Sequence, residues 1–535
     1  MPLQLVALRP ATRALNGMVS APHALAAQVG VRMLQSGGNA ADASIAVAAA
    51  LSVLYPHMTG VGGDAFVLYY QASDASLWGY NASGAAAALA TIPWYRGQGV
   101  SSIPERGALA ALTVPGAVDA WCALHERFGS LRFEQLLQPA IEYAERGAPV
   151  ARSLADALAL HHALLRTDEG AGGIYGGEPV PQAGGIFKQP QLAHSLWSIS
   201  QGGRDWFYSG AGARAIDSYC RRIGSPLRLE DLAAHRGFFC DPLRAPFFAF
   251  ESVTMPPNSQ GIGLLIAQRV WQAFAGRDLP ASDSAALVHA WVEAIKLAFE
   301  DRDRCVGDPQ LPPTWHALLA DDHIKQLSAR IDPFQARAAR TFRADAGDTT
   351  YFAAVDARGN AVSYIQSLFH SFGAAVAVPE LGVLLNNRGS AFSLVPKSIR
   401  ALAPGQRPYH TLMPCMLLRN GKPWLVHGSM GGEGQAQTAL TLSARIARYG
   451  MDPQAAIEGP RWRWGQTWLD EPTSLAIESR FGDACIAGLR ARGHRVDVVG
   501  EWEEGMGHAG AILVGEDGVL QGGADPRGDG AAVGF

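Results

Sequence analysis

The stretch Ala40 to Leu54 reads A-A-D-A-S-I-A-V-A-A-A-L-S-V-L, a helical pattern that is apolar on nearly every face. Such a helix has no side to offer to water and must lie between other layers. It is too short for a bilayer and carries Asp42, so a membrane span is the weaker alternative. Asn39 starts it and Pro56 ends it. Ahead of it, a pattern opening at Ser20 and Pro22 runs to Gln35 and stops at Gly37-Gly38, so two helices are expected to open the chain. At 535 residues the chain exceeds what one ordinary core supports. One very large fold, or two intimately packed layers, is expected.

Thr59-Gly60-Val61-Gly62-Gly63-Asp64 leads into a strand over Ala65 to Tyr70 and reads either as a tight turn or as a ligand loop. From about Val114 to Asp345 the chain reads as mostly helical. Leu287, Val288, Trp291, Val292, Ile295, Ala298 and Phe299 form an i, i+3, i+4 core stripe with Ser282 as its cap. Residues 170–185 are rich in Gly and Pro and read as a surface loop. After Asp345 the texture changes to hairpins. Strands over Tyr351 to Val355 and Ala361 to Gln366 flank a turn at Gly359-Asn360. Strands over Met413 to Leu418 and Trp424 to His427 flank Asn420-Gly421, and Ala511 to Val514 and Val519 to Gly522 flank Asp517-Gly518. Helices first and hairpins second point to sheets covered by helices, an α+β layered fold.

Lys plus Arg number 44 and Asp plus Glu 48, with no basic stripe, so nucleic acid is not an expected partner. The six cysteines, Cys122, Cys220, Cys240, Cys305, Cys415 and Cys485, include no C-x-x-C pair. No metal or redox motif follows from their spacing, and they fit reduced thiols of a cytoplasmic protein. No cofactor or metal is expected.

His161-His162 lies in a Leu/Ala-rich helical stretch and reads as surface or core. His427-Gly428-Ser429-Met430-Gly431 approaches the nucleophile elbow G-x-S-x-G, with His in place of the first Gly, so a serine hydrolase using Ser429 is one reading. Gly431-Gly432 at the start of a helical pattern running to Arg448 offers another: backbone N–H groups able to hold an oxyanion. Gly347-Asp348-Thr349-Thr350 sits where the two textures meet. A Thr freed at a chain N-terminus carries its own base, because the α-amine can take the hydroxyl proton.

The chain resembles the γ-glutamyltransferase family of N-terminal-nucleophile hydrolases along nearly its whole length. The resemblance rests on an ordered series: Ser20-Ala21-Pro22-His23, Gly37 to Ala43, Gly60 to Asp64, Val114-Pro115-Gly116, Met255 to Ser259, Glu293 to Phe299, and Gly307-Asp308-Pro309. It continues through Asp348-Thr349-Thr350, Leu385-Asn386-Asn387, Pro404 to Pro408, Gly428 to Gly432 and Asp525-Pro526-Arg527. It implies a four-layer αββα sandwich and a precursor cut between Asp348 and Thr349 into a large subunit, 1–348, and a small subunit, 349–535. Thr349 would be the nucleophile, Gly431 and Gly432 the oxyanion donors, and Ser367 the hydroxyl that bonds the catalytic Thr. Ser429 would be structural. A second precursor-derived subunit and a small-molecule amide are the implied partners, with a higher oligomer left open.

The substrate pocket departs from the family pattern. No cation stands in the segment Asn81 to Ala88, where γ-glutamyl-binding members place an Arg, and Ala391 replaces the Asp that binds the α-amine. The paired serines are replaced by His410 and Thr411, and Phe392 to Pro404 is shorter than the usual lid. A buried carboxylate without its cation is disfavoured by several kcal/mol. Glutathione is thus a poor expectation. Arg388, after Asn387, reads either as a partner for a carboxylate close to the scissile amide or as a structural ion pair. A compact acid amide such as oxamate is the expected substrate. γ-Glutamyl amides and glutaryl or cephalosporin side chains are the alternatives, and a non-maturing binding homologue is the alternative of another class.

Overall fold

The computed structural model describes residues 8–276, 280–311, 314–338, 348–465 and 473–535. The expected sandwich is present. Two seven-stranded antiparallel sheets stack face to face. One runs Ala531–Gly534, Gly17–Ala21, Asp348–Asp356, Ala361–Phe369, Asp64–Gln71, Ser76–Asn81, Phe238–Cys240. The other runs Thr12–Ala14, Leu520–Ala524, Ala509–Val514, Lys422–Ser429, Cys415–Arg419, Phe250–Thr254, Leu243–Phe247.

Strand alternation sorts side chains into three cores. Tyr351, Ala353 and Val355 face the other sheet and meet Met416, Val426 and Ile512 there. Phe352 and Ala354, on the opposite face, pack beneath the helices Ala24–Gln35 and Ala40–Leu54. On the far side, Cys415, Leu417 and Leu425 pack under Gly261–Ala275, Ala285–Cys305 and Gly434–Ala447. The helix Ala40–Leu54 is buried at every position. Asp42 survives there as half of a capping box with Asn39 and as an acceptor for Ser130 N, 3.1 Å. Among the described residues no helix is long and apolar enough to cross a membrane.

Several local expectations are corrected. The first helix begins at Ala24 with His23 as its cap, after two strands. Ser20 lies in the second of them and donates to Gly523 O at 2.8 Å. Ser284, not Ser282, caps the helix Ala285–Cys305, its hydroxyl accepting from Leu287 N. Part of the supposed loop 170–185 is helical over Glu169–Tyr175, capped by Asp168. The hairpin Leu243–Phe247 with Phe250–Thr254 interrupts the helical half and extends a sheet. The helix expected from Gly431 starts at Gly434. Gly347 and the end of the helical half at Asp345 lie outside the described residues.

Candidate active site

The strand Asp348–Asp356 pairs Asp348 with Phe369 and Thr350 with Gln366, so the ladder slips at Thr349. The slip brings the Thr349 hydroxyl to Ser367 Oγ at 3.2 Å. Ser367 Oγ accepts a further bond from Phe369 N, 2.7 Å, and donates its own proton to the carbonyl oxygen of Asp348, 2.6 Å. Both hydroxyl-bearing side chains are buried. One hydroxyl thus touches both the Thr349 side chain and the carbonyl of the bond before it.

Ser367 is the cross-strand partner of Asp64. The glycine run before Asp64 serves close approach: a Cβ on Gly63 would sit 2.5 Å from Ser367 O. Asp64 Oδ1 accepts from Gly84 N at 2.9 Å. Its Oδ2 lies 3.3 Å from His410 Nε2 and 3.9 Å from Arg388 Nε. The Arg388 guanidinium stacks over the Phe369 ring at 3.9 Å and donates to Thr411 Oγ1 at 3.3 Å. Burial, with Arg388 adding to it, lowers the His410 pKa to about 4 against the pull of Asp64, so the imidazole is neutral near pH 7.

Gly431 and Gly432 form a turn with φ of 117° and 53°, and neither N–H donates to another described residue. Gln260 Nε2 donates to Thr411 O, 2.6 Å, and to Gly432 O, 3.1 Å, locking the turn to the Arg388 cluster. Arg302 holds Gln260 Oε1 at 2.9 Å. Asn387 is committed to the protein: its Oδ1 accepts from His370 N, 3.0 Å, and its Nδ2 donates to Glu105 O, 2.7 Å. The sequence reading did not single out Asp64, Gln260 or Arg106 as site residues. Arg106 donates to the carbonyls of Ser371 and Gly373 in the loop after Ser367. Only Asp64 had a signal, its place after the glycines.

The Ser429 hydroxyl is spent on backbone carbonyls, Met430 O at 2.7 Å and His508 O at 3.2 Å. His427 Nε2 pairs with Ser443 instead, at 3.3 Å, so no imidazole activates Ser429 among the described residues. His161 packs on Phe372, and His162 contacts Gly177 O at the surface. In the outer helical layer His289, Glu293 and His494 are close enough to share an ion. There Lys296 already pairs with Glu293 at 2.6 Å and the two imidazoles bond each other at 2.7 Å.

Four such layers define the N-terminal-nucleophile hydrolase class. The chain belongs to the gamma-glutamyltranspeptidase family, which it matches over residues 26–535. It is 43% identical over 522 residues to the glutathione hydrolase-like YwrD proenzyme of Bacillus subtilis (strain 168), covering 97% of this chain and 98% of that one. It is 40% identical over 528 residues to the oxamate amidohydrolase proenzyme of Klebsiella pneumoniae, covering 97% and 98%. The crystal structure of cephalosporin acylase from Bacillus halodurans superposes with a TM-score of 0.92 at 34% identity, over 99% of this chain and 98% of that one. The chain is therefore an amide-bond hydrolase of this family, and the two relatives just named are proenzymes.

Proposed function

We propose that the chain cuts itself between Asp348 and Thr349 and then uses Thr349 to hydrolyse a small acid amide of the oxamate type. The observation that carries the first half is the Ser367 hydroxyl, bonded at once to Thr349 Oγ1 and to Asp348 O. Attack of Thr349 Oγ on the Asp348 carbonyl carbon moves the acyl group from nitrogen to oxygen. Charge developing on Asp348 O strengthens the bond from Ser367, and water then cleaves the ester. The new α-amine, with an ordinary pKa of about 7.7–8.0, can take the Thr349 proton in the next attack. In turnover Gly431 and Gly432 N–H groups receive the oxyanion, ammonia leaves, and water releases the acid from the Thr349 ester.

The second half rests on charge. The segment Asn81 to Ala88 lacks a cation and Ala391 offers no carboxylate, while Arg388, His410 and Thr411 adjoin Asp64 one strand from Ser367. This favours a ligand with a carboxylate and no α-amine. The name of the Klebsiella relative agrees; those of the Bacillus subtilis and Bacillus halodurans relatives keep γ-glutamyl and acylase substrates in the assay. Six unpaired cysteines suit a cytoplasmic setting.

A denaturing gel tests the cut: wild type should give two bands ending and starting at Asp348 and Thr349, and Thr349→Ala one. An active protein that stays a single chain overturns the reading. Ammonia release from oxamate and glutamine, with scissile-product assays on glutathione and glutaryl amides, tests the substrate. Glutathione turnover far above that of oxamate overturns the acid-amide assignment.

A further inference from the structure

The Ser429 hydroxyl is buried, and both of its partners are carbonyl oxygens, so it acts as a donor. The nearer acceptor, at 2.7 Å, is Met430 O. That carbonyl belongs to the same peptide unit as the N–H of Gly431. A trans peptide is planar, and its C=O and N–H point in opposite directions. Whatever holds Met430 O therefore aims Gly431 N–H.

The second N–H of the glycine pair is aimed by a different group. Gly431 O, on the peptide that carries Gly432 N–H, accepts from Gly434 N at 2.8 Å. One N–H is thus oriented by backbone alone, and the other depends on a side-chain hydroxyl. Gly507 leaves room for the Met430 carbonyl: a Cβ there would sit 2.4 Å from Met430 O, and its φ of 87° suits glycine. The segment around Gly507 is itself fixed. Met430 N donates to His508 O at 2.9 Å, Arg461 donates to Gly507 O, and Asp525 accepts from Ala509 N at 2.8 Å. The strand leading into the turn lies against the strand of Thr349, since a Cβ on Gly428 would sit 2.4 Å from the Tyr351 ring.

We propose that Ser429 is a positioning residue for turnover: its hydroxyl holds the Met430–Gly431 peptide so that Gly431 N–H meets the oxyanion formed when Thr349 attacks the substrate. This rests on the reading of Thr349 as nucleophile and of Gly431 and Gly432 as oxyanion donors. Ser429 touches no reacting atom. Self-cleavage makes no use of it, because there the charge develops on Asp348 O, which accepts from Ser367. A hydroxyl that only held the fold would affect both reactions alike.

Three full-length variants test this. Ser429→Ala removes the donor, Ser429→Cys keeps nearly the same shape with a weak S–H donor, and Ser429→Thr keeps the hydroxyl. Each is followed by a gel time course of self-cleavage, a thermal melt, and steady-state kinetics on the amide that the wild type hydrolyses fastest. All three should self-cleave at the wild-type rate. With KM unchanged, kcat should fall in the order Ser, Cys, Ala, the Ala variant by roughly 10- to 100-fold, less than the loss of an oxyanion donor outright. Ser429→Thr should stay near wild type. If Ser429→Ala melts far below wild type, the Cys variant decides, and its wild-type kcat overturns the proposal. A wild-type kcat in a folded Ser429→Ala chain, a change in KM alone, or self-cleavage slowed in step with turnover also overturns it. A Thr349→Ala chain that still turns over substrate removes the nucleophile reading and this inference with it. A processed, Thr349-dependent enzyme indifferent to Ser429 removes this inference alone.

Discussion

Two of the buried ionic clusters among the described residues are built differently. Near the C-terminus Arg527 meets Glu478 at 2.6 Å and Asp525 at 3.1 Å, Arg480 meets Glu478 at 2.6 Å, and Arg461 pairs with Asp525. At the candidate site Asp64 stands 3.3 Å from His410 and 3.9 Å from Arg388. The first cluster is closed: contact distances leave no place for another charge, and every member belongs to the chain after Thr349. The second has wider spacings, between residues before and after Thr349. A closed cluster pins a fold; in the second the charged groups stand farther apart, so a weaker Coulomb attraction holds them.

The largest expected effect is at the closed cluster. Arg527→Met should destabilise the protein by about 3–5 kcal/mol, read from a denaturant midpoint, because two buried carboxylates lose a partner. Arg388→Met should cost less than half as much, since His410 can take a proton beside Asp64. Equal losses would erase the distinction between the clusters. Next, Ser367→Ala should slow self-cleavage by about 10²–10³-fold in a gel time course, the usual cost of one oxyanion donor, and Ser367→Thr should stay near wild type.

A pH effect comes third. Burial alone would raise the Asp525 pKa, but Arg461 and Arg527 outweigh it and lower it to about 2. A depressed carboxylate stabilises above its unfolded value and loses that stabilisation as pH falls. Asp525 should therefore contribute about 2–3 kcal/mol at neutral pH, lost between roughly pH 4 and 2. Comparison with Asp525→Asn over that window checks it; identical pH slopes would refute the closed-cluster account. Smallest is a shift at His410. Removing Arg388 leaves Asp64 as its nearest charge, so its pKa should rise from about 4, measurable by NMR titration.

Local physics made the layers legible. An all-apolar helix can only be buried, and Asn420-Gly421 and Asp517-Gly518 mark hairpins whose strands occur as Cys415–Arg419 with Lys422–Ser429 and Ala509–Val514 with Leu520–Ala524. The edge hairpin from Leu243 was missed because its short strands lie amid helical periodicity. At the site, Gly431 and Gly432 were first suggested by the helical pattern they open, while the roles of Thr349 and Ser367 came from an ordered resemblance. Asp64, Arg106 and Gln260 had too little local signal, because their meaning is a position relative to distant strands.

The sequence by itself determined the order of buried and half-buried elements, since period and burial are properties of short stretches. Only the tertiary structure decided which charges meet. The slip at Thr349, the register pairing Ser367 with Asp64, and the loop that seats Arg106 are set by long-range packing of the sheets. Electrostatic energy depends on those distances and on burial, and neither quantity exists until the layers close.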